Sequence, residues 1–365
     1  MDESTYVSIR ERAVYDRQKS TLTPFKGWAL DALGELDRVS PGLLLHAFGA
    51  SPKWRQSVFL AIGTGVLLNP DVFLTRANGE RPDECCWKKV QRDLAESLIA
   101  MTPRRIVEAA LGDVPDGLGG SLAKLGGQPM RHSEDYITLV ELLSSAESGM
   151  KLRAKTLLQL NRLDADLLAA VLQLDEIALI PGVLCRVGDK LEAVRLNRRI
   201  AAIRLVASGA SFDALRHSLN SQPFRGHNFA SSWVSKADRP PVVHEPLDLH
   251  PDFERITPAS AEAVGREFSN CLKHKTGQLV SGVWGAWVWR PGSLIATVTS
   301  CVEGPLLTGV YGHANREAPP EHTDELKKVL QDLGVHCFTR KEVPDELRIL
   351  TMGEFSQCVV DEEFE

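Results

Sequence analysis

None of the seven cysteines of this 365-residue chain sits in a Cys-x-x-Cys pair; their number is odd, and Cys85 and Cys86 are adjacent. That usage excludes a disulfide framework of the secreted type and fits a chain kept reduced in the cytoplasm. No apolar run approaches the ~20 residues that span a bilayer; the longer ones, such as Leu167–Leu172, are short. The opening MDESTYVSIRERAVYDRQ is charged and has no apolar core, so neither a secretory signal nor a membrane partner is expected. The sequence also lacks a P-loop, a Gly-x-Gly-x-x-Gly after a strand, His-Glu-x-x-His and Gly-x-Ser-x-Gly, and no paired carboxylates stand out. These absences remove the common motif-defined routes to nucleotide hydrolysis, dinucleotide chemistry, zinc proteolysis and serine hydrolysis, and no cofactor is expected. A net charge of −6 argues against a protein that coats nucleic acid over its whole surface, while leaving room for a local basic site.

What the chain does have is an ordinary globular composition, 43% hydrophobic and 25% charged, at a length sufficient for two domains. Residues 1–25 are polar and read as an arm or a first short helix. Residues 27–220 read as successive short helices broken by Pro and Gly, with apolar faces such as Leu30/Leu33/Leu36, Leu94/Leu98/Ile99 and Leu196/Ile200/Ile203. Short phrases recur without a fixed period, which favours an irregular bundle over a helical-repeat array. Gly112–Gly127 is glycine-rich and is expected to be a loop. From Gln222 to Asp252 the helical pattern fails among several prolines. The expected organisation is an α-helical domain over 1–221, a linker over 222–252 and an α+β domain over 253–365, ending in an acidic tail at Asp361–Glu365. The expected fold class is α+β, with a large irregular helical N-terminal region and a small C-terminal domain containing an antiparallel sheet of three or more strands.

The C-terminal part is the most legible. Thr257 is a good N-cap and Pro258 suits the first helical position. Val264, Phe268, Cys271 and Leu272 then share one apolar face, so the spacing predicts a helix that carries Cys271 inward and ends at Gly277. Two apolar runs, Val283–Trp289 and Leu294–Thr299, flank Arg290-Pro291-Gly292-Ser293, a type II turn signature. Closing that turn sets Trp289 opposite Leu294 and Trp287 opposite Ala296. One face then carries Trp287, Trp289, Leu294, Ala296 and Val298, and the other carries Trp284, Val288, Ile295, Thr297 and Thr299. A turn at Val302–Pro305 leads to a third strand, Leu306–Tyr311. Leu326, Val329, Leu330 and Leu333 make a final helix closed by Gly334.

A cysteine-bearing helix, a hairpin whose second strand is Ile295–Thr299, and Gly312-His313-Ala314-Asn315 before a Pro-rich helix start together resemble the core of the PcfJ-like family. The resemblance covers roughly a fifth of the chain, on a loose motif. It departs from the family pattern near Lys275, where an aromatic residue is missing, and near Gly309, where a glutamine is missing. It implies the company of conjugative plasmids, phages and other mobile elements, and it carries no settled biochemical activity.

Three kinds of chemistry are open. Cys271, His313 and Asn315 have the residue types of a Cys-His-Asn nucleophile, base and orienting group. Against that, the C-terminal end of a helix raises a thiol pKa, and a cysteine on an apolar face is ordinarily a buried core residue. Cys271 and His274, with Cys301, His313, His336 and Cys337 downstream, lack a second tight ligand pair, so no metal site is expected. Lys151, Arg153, Lys155 and Arg162, then Arg195, Arg198, Arg199 and Arg204, cluster on helical sequence. Arg195, Arg198 and Arg199 are the candidate nucleic-acid contacts, against the alternative of a solvated face balanced by Asp164, Asp166, Asp189 and Glu192. Two functions follow. The leading one is a non-catalytic binding or effector protein of a mobile-element or host–parasite system, acting through protein or nucleic-acid contacts. The alternative is an intracellular cysteine-dependent hydrolase or transferase.

Overall fold

The computed structural model describes residues 22–79, 86–221, 226–302 and 304–337, with the side chains of 226–228 left out. Most of the polar arm, Cys85, Glu303 of the expected Val302–Pro305 turn and the acidic tail lie outside the described residues. The fold is α+β, a helical N-terminal region followed by a C-terminal four-stranded antiparallel sheet. The chain divides into two compact units, up to Asn197 and from Arg198. The division falls within the Lys190–Val206 helix. The Pro-rich stretch 222–252 contains the Gly226–Val234 and Glu245–Leu249 helices.

In the first unit, helices start where the sequence supplies caps. Ser51, Thr102 and Asp164 each accept from a backbone N–H in the first turn, and Pro52 and Pro103 take early helical positions. The Pro52–Gly63 helix is the centre of this unit, since Trp54 through Ile62 are all buried, Arg55 and Gln56 included. Polar groups at such depth require partners. Tyr136 Oη donates to Gln56 Oε1 at 2.6 Å and accepts from Met130 N at 3.3 Å. Gln56 Nε2 donates to Gly126 O and Gln128 O. Arg55 Nη2 donates to Phe48 O at 2.5 Å and Thr23 Oγ1 at 2.6 Å. Burial pushes the Tyr136 phenol far above its ordinary pKa and draws the Arg55 guanidinium below its own. The glycine-rich stretch expected as a loop contains the Leu118–Lys124 helix. Leu118 and Leu122, one turn apart and both buried, outweigh the poor propensity of Gly119 and Gly120.

Cationic side chains join these helices end to side. Arg76, on the Pro70–Asn78 helix, donates to Ala110 O in the last turn of the Pro103–Leu111 helix, and Arg105 on that helix donates back to Ala77 O. Arg153 donates to Val171 O and Leu174 O, Lys124 to Leu158 O, and Arg92 to Val39 O. Each meets carbonyls left unpaired at a helix C-terminus, the end that favours positive charge.

In the second unit the strands run β1 (Phe253–Ile256), β2 (Trp284–Trp289), β3 (Leu294–Cys301) and β4 (Gly304–Tyr311), in that spatial order. Trp289 faces Leu294 and Trp287 faces Ala296, the register expected. One sheet face packs Phe253, Trp287, Trp289, Leu294 and Val298 with Leu326 and Leu330 of the Pro320–Asp332 helix. The other packs Ala286, Val288 and Ile295 with Val264, Phe268 and Leu279. Trp287 is fully buried and donates to Asp248 Oδ1 at 2.8 Å, and Asp248 pairs with Arg255 at 3.0 Å.

The hairpin turn differs from the expected type II. Ser293 N bonds Arg290 O at 3.2 Å, but the left-handed residue is Ser293, with φ 50°, and Gly292 is not left-handed. Gly292 is needed for space instead: a Cβ there would stand 2.3 Å from the Trp289 indole. Between β3 and β4 the register slips at Thr297/Val298. Thr308 is the extra residue of this bulge, and the buried Thr297 hydroxyl bonds its side chain at 3.0 Å.

Candidate functional site

The Pro258–Glu267 helix begins as expected, with Thr257 and Ser260 forming a reciprocal capping box. It ends well before Gly277. Ser269 takes φ 53°, Asn270 N bonds Gly265 O at 2.9 Å and Ser269 N bonds Arg266 O at 3.3 Å. This pair of bonds around a left-handed residue is a Schellman termination, here with serine in the place glycine usually fills. The chain therefore leaves the helix axis before Cys271. Asn270 Oδ1 accepts from Leu272 N at 3.1 Å and starts the short turn Leu272–His274. Leu272 is buried, and Cys271 is exposed rather than part of the core.

After β4, the turn His313–Asn315 contains two left-handed residues, Ala314 at φ 57° and Asn315 at φ 55°. Ala314 N bonds Phe268 O at 2.7 Å, docking this turn on the end of the helix. His313 Nε2 then lies 3.2 Å from Ser269 Oγ, across 44 residues of sequence. Three of the four non-glycine left-handed residues among the described residues, Ser269, Ala314 and Asn315, belong to this junction. Such residues cost stability and tend to gather at functional sites.

The end of the Pro258–Glu267 helix and the His313–Asn315 turn thus meet in space. Within the junction the partner of His313 is Ser269; among the described residues no hydrogen bond joins His313 to Cys271 or to Asn315. Sequence reasoning passed over Ser269. Its signal is the Ser269-Asn270 pair, two adjacent turn-forming residues late in the helical pattern.

The remaining candidate ligands lie in separate settings. Cys337 is half-buried and its thiol is pushed up to about 11 by burial. His244, outside that set, has its Nε2 bonded to Leu333 O at the end of the last helix. Among the described residues no group of three or more His, Cys, Asp or Glu side chains converges to hold a metal ion.

Of the basic residues, Arg153 is taken up by helix-end carbonyls and Arg195 by Glu192. Arg162 stands 4.0 Å from Asp164. Lys151 and Lys155 line a shallow cavity of about 340 Å³ with Leu142, Leu143 and Leu158. On the Lys190–Val206 helix, Leu196, Ile200 and Ile203 are buried, while Arg198, Ala201, Ala202, Arg204 and Leu205 are exposed and Arg199 is half-buried. Arg198, Arg199 and Arg204 have no carboxylate partner among the described residues. No helix among the described residues is long and apolar enough to cross a membrane. No protein-family model, curated protein or solved structure matches this chain.

Proposed function

We propose that the protein is a binding protein whose ligand is the phosphate backbone of a nucleic acid, met by Arg198, Arg199 and Arg204. The observation that carries this reading is the contrast in how the arginines are engaged. Arg55, Arg76, Arg105 and Arg153 are committed to backbone carbonyls, whereas Arg198 and Arg204 stand exposed on one helix. From Arg198 to Arg204 the helix rises about 9 Å at ~1.5 Å per residue and turns by about 100° at each, so the two arginines stand about 120° apart around its exposed side. Ala201 and Ala202 lie between them, and their small side chains let a backbone approach. The mobile-element or host–parasite setting belongs to this proposal through the PcfJ-like resemblance.

Fluorescence anisotropy with a labelled duplex, titrated between ~50 and ~200 mM salt, tests it. Changing Arg198 and Arg199 together to Glu is expected to weaken binding and to reduce the slope of log affinity against log salt by about 2. Unaltered affinity and slope in the double variant, or no binding by the unmodified protein at low salt, would remove the reading.

A further inference from the structure

We propose that Ser269 is an acylatable nucleophile and that His313 is its general base. The two side chains are within hydrogen-bond reach, Oγ to Nε2 at 3.2 Å, and both residues are exposed, so a substrate reaches them without an opening motion. Both are also held in place. Ser269 is fixed by the Schellman bonds at the helix end, and His313 by the Gly312 N to Arg316 O and Ala314 N to Phe268 O bonds on either side of it. That arrangement is the geometric minimum for serine activation.

A purely structural role explains it less well. An exposed hydrogen bond between two side chains contributes little, and the backbone bond from Ala314 to Phe268 already ties the two turns together. Yet the junction keeps three left-handed non-glycine residues, each of which opposes folding. Cys271, the nucleophile that composition suggests, lies two positions further on and has no hydrogen bond to His313 among the described residues.

The class of substrate is an activated ester or thioester, because an open surface site favours a good leaving group over an amide. With His313 neutral, Oγ attacks the carbonyl carbon as its proton passes to Nε2, and the carbonyl π pair moves to oxygen. The intermediate collapses as the C–O or C–S bond breaks, and the imidazolium returns the proton to the leaving alkoxide or thiolate. A water molecule then gives its proton to Nε2, attacks the acyl-serine and releases the acid, and Ser269 regains its proton from His313. Atoms and charge balance with water as the only co-reactant.

The test is labelling of the full chain with a fluorophosphonate, followed by digestion and mass spectrometry to locate the adduct. The expected result is one phosphonylated serine, Ser269. His313→Gln should slow it at least tenfold, and Cys271→Ala should leave it unchanged. No adduct on Ser269 in the unmodified protein would overturn the proposal, and so would labelling of equal rate in His313→Gln. The first readout needs no variant, so it stands even if a substitution at the junction impairs folding.

Discussion

The two units fix the mutual positions of their elements by different means. In the unit up to Asn197, helices of seven to fourteen residues with no regular repeat meet at crossings that no backbone ladder defines. Several of them are pinned instead by a side chain of one helix reaching the carbonyl end of another, as Arg76 and Arg105 do for their two helices. In the unit from Arg198, the strand ladder sets distance and register at once, and side chains decide only what fills each face. The difference teaches that charge in the first unit is largely structural. An arginine there is to be read first as a helix cap and only then as a ligand for something outside.

The comparison is most sharply tested at Trp287. Trp287→Ala is expected to destabilise the second unit by about 3–5 kcal/mol, because it opens the core on one sheet face and leaves Asp248 without its indole donor. Chemical denaturation followed by circular dichroism measures it. A loss under ~1 kcal/mol would mean that the ladder, not the core, holds the sheet.

A smaller effect is expected at Tyr136 in the first unit. Tyr136→Phe leaves the buried Gln56 Oε1 without its donor and should cost about 1–3 kcal/mol. The phenol also gives a pH signature. Its folded pKa lies above the unfolded one of ~10, so its contribution is complete below that pH and declines as the pH rises toward the folded value. Melting temperatures taken across pH 8 to 11 should fall more steeply for the unmodified protein than for Tyr136→Phe. Parallel curves would show that the phenol ionises freely in the folded state.

The smallest effect is expected at Arg153. Arg153→Met keeps an apolar stem and removes two donors from Val171 O and Leu174 O. The expected cost is about 1–2 kcal/mol, with faster amide hydrogen exchange at the end of the Ala165–Gln173 helix. Unchanged exchange there would sink the view that cations hold this unit's crossings.

The sheet was legible because alternation with a period of two, punctuated by Pro291-Gly292, leaves one register that buries Trp287 and Trp289 together. The four-residue strand Phe253–Ile256 was not, since two apolar ends in four residues are too short a pattern to count and prolines precede it. The position of Cys271 was misread for a related reason. Helical spacing continues through Leu272, and only the left-handed turn at Ser269, a conformation serine seldom takes, breaks it. The capping partners of Arg76, Arg105 and Lys124 lie 28 to 34 positions away, and no local pattern announces them. The Ser269–His313 pair was hidden by a longer separation, 44 residues: His313 was a candidate base, but its partner depended on where the helix stops.

The crowding of Gly292 against Trp289 has a consequence for how the sequence drifts. Any side chain at 292 collides with the indole at 2.3 Å, just as one at 285 meets Trp287 at 2.4 Å and one at 309 meets Tyr311 at 2.5 Å. Each glycine is therefore the footprint of its aromatic neighbour, and it cannot gain a side chain without strain while that ring stays. In related chains these positions should vary as pairs, a larger residue at 292 arriving together with a smaller one at 289. A lineage that loses one of these aromatic rings is freed to lose its glycine as well.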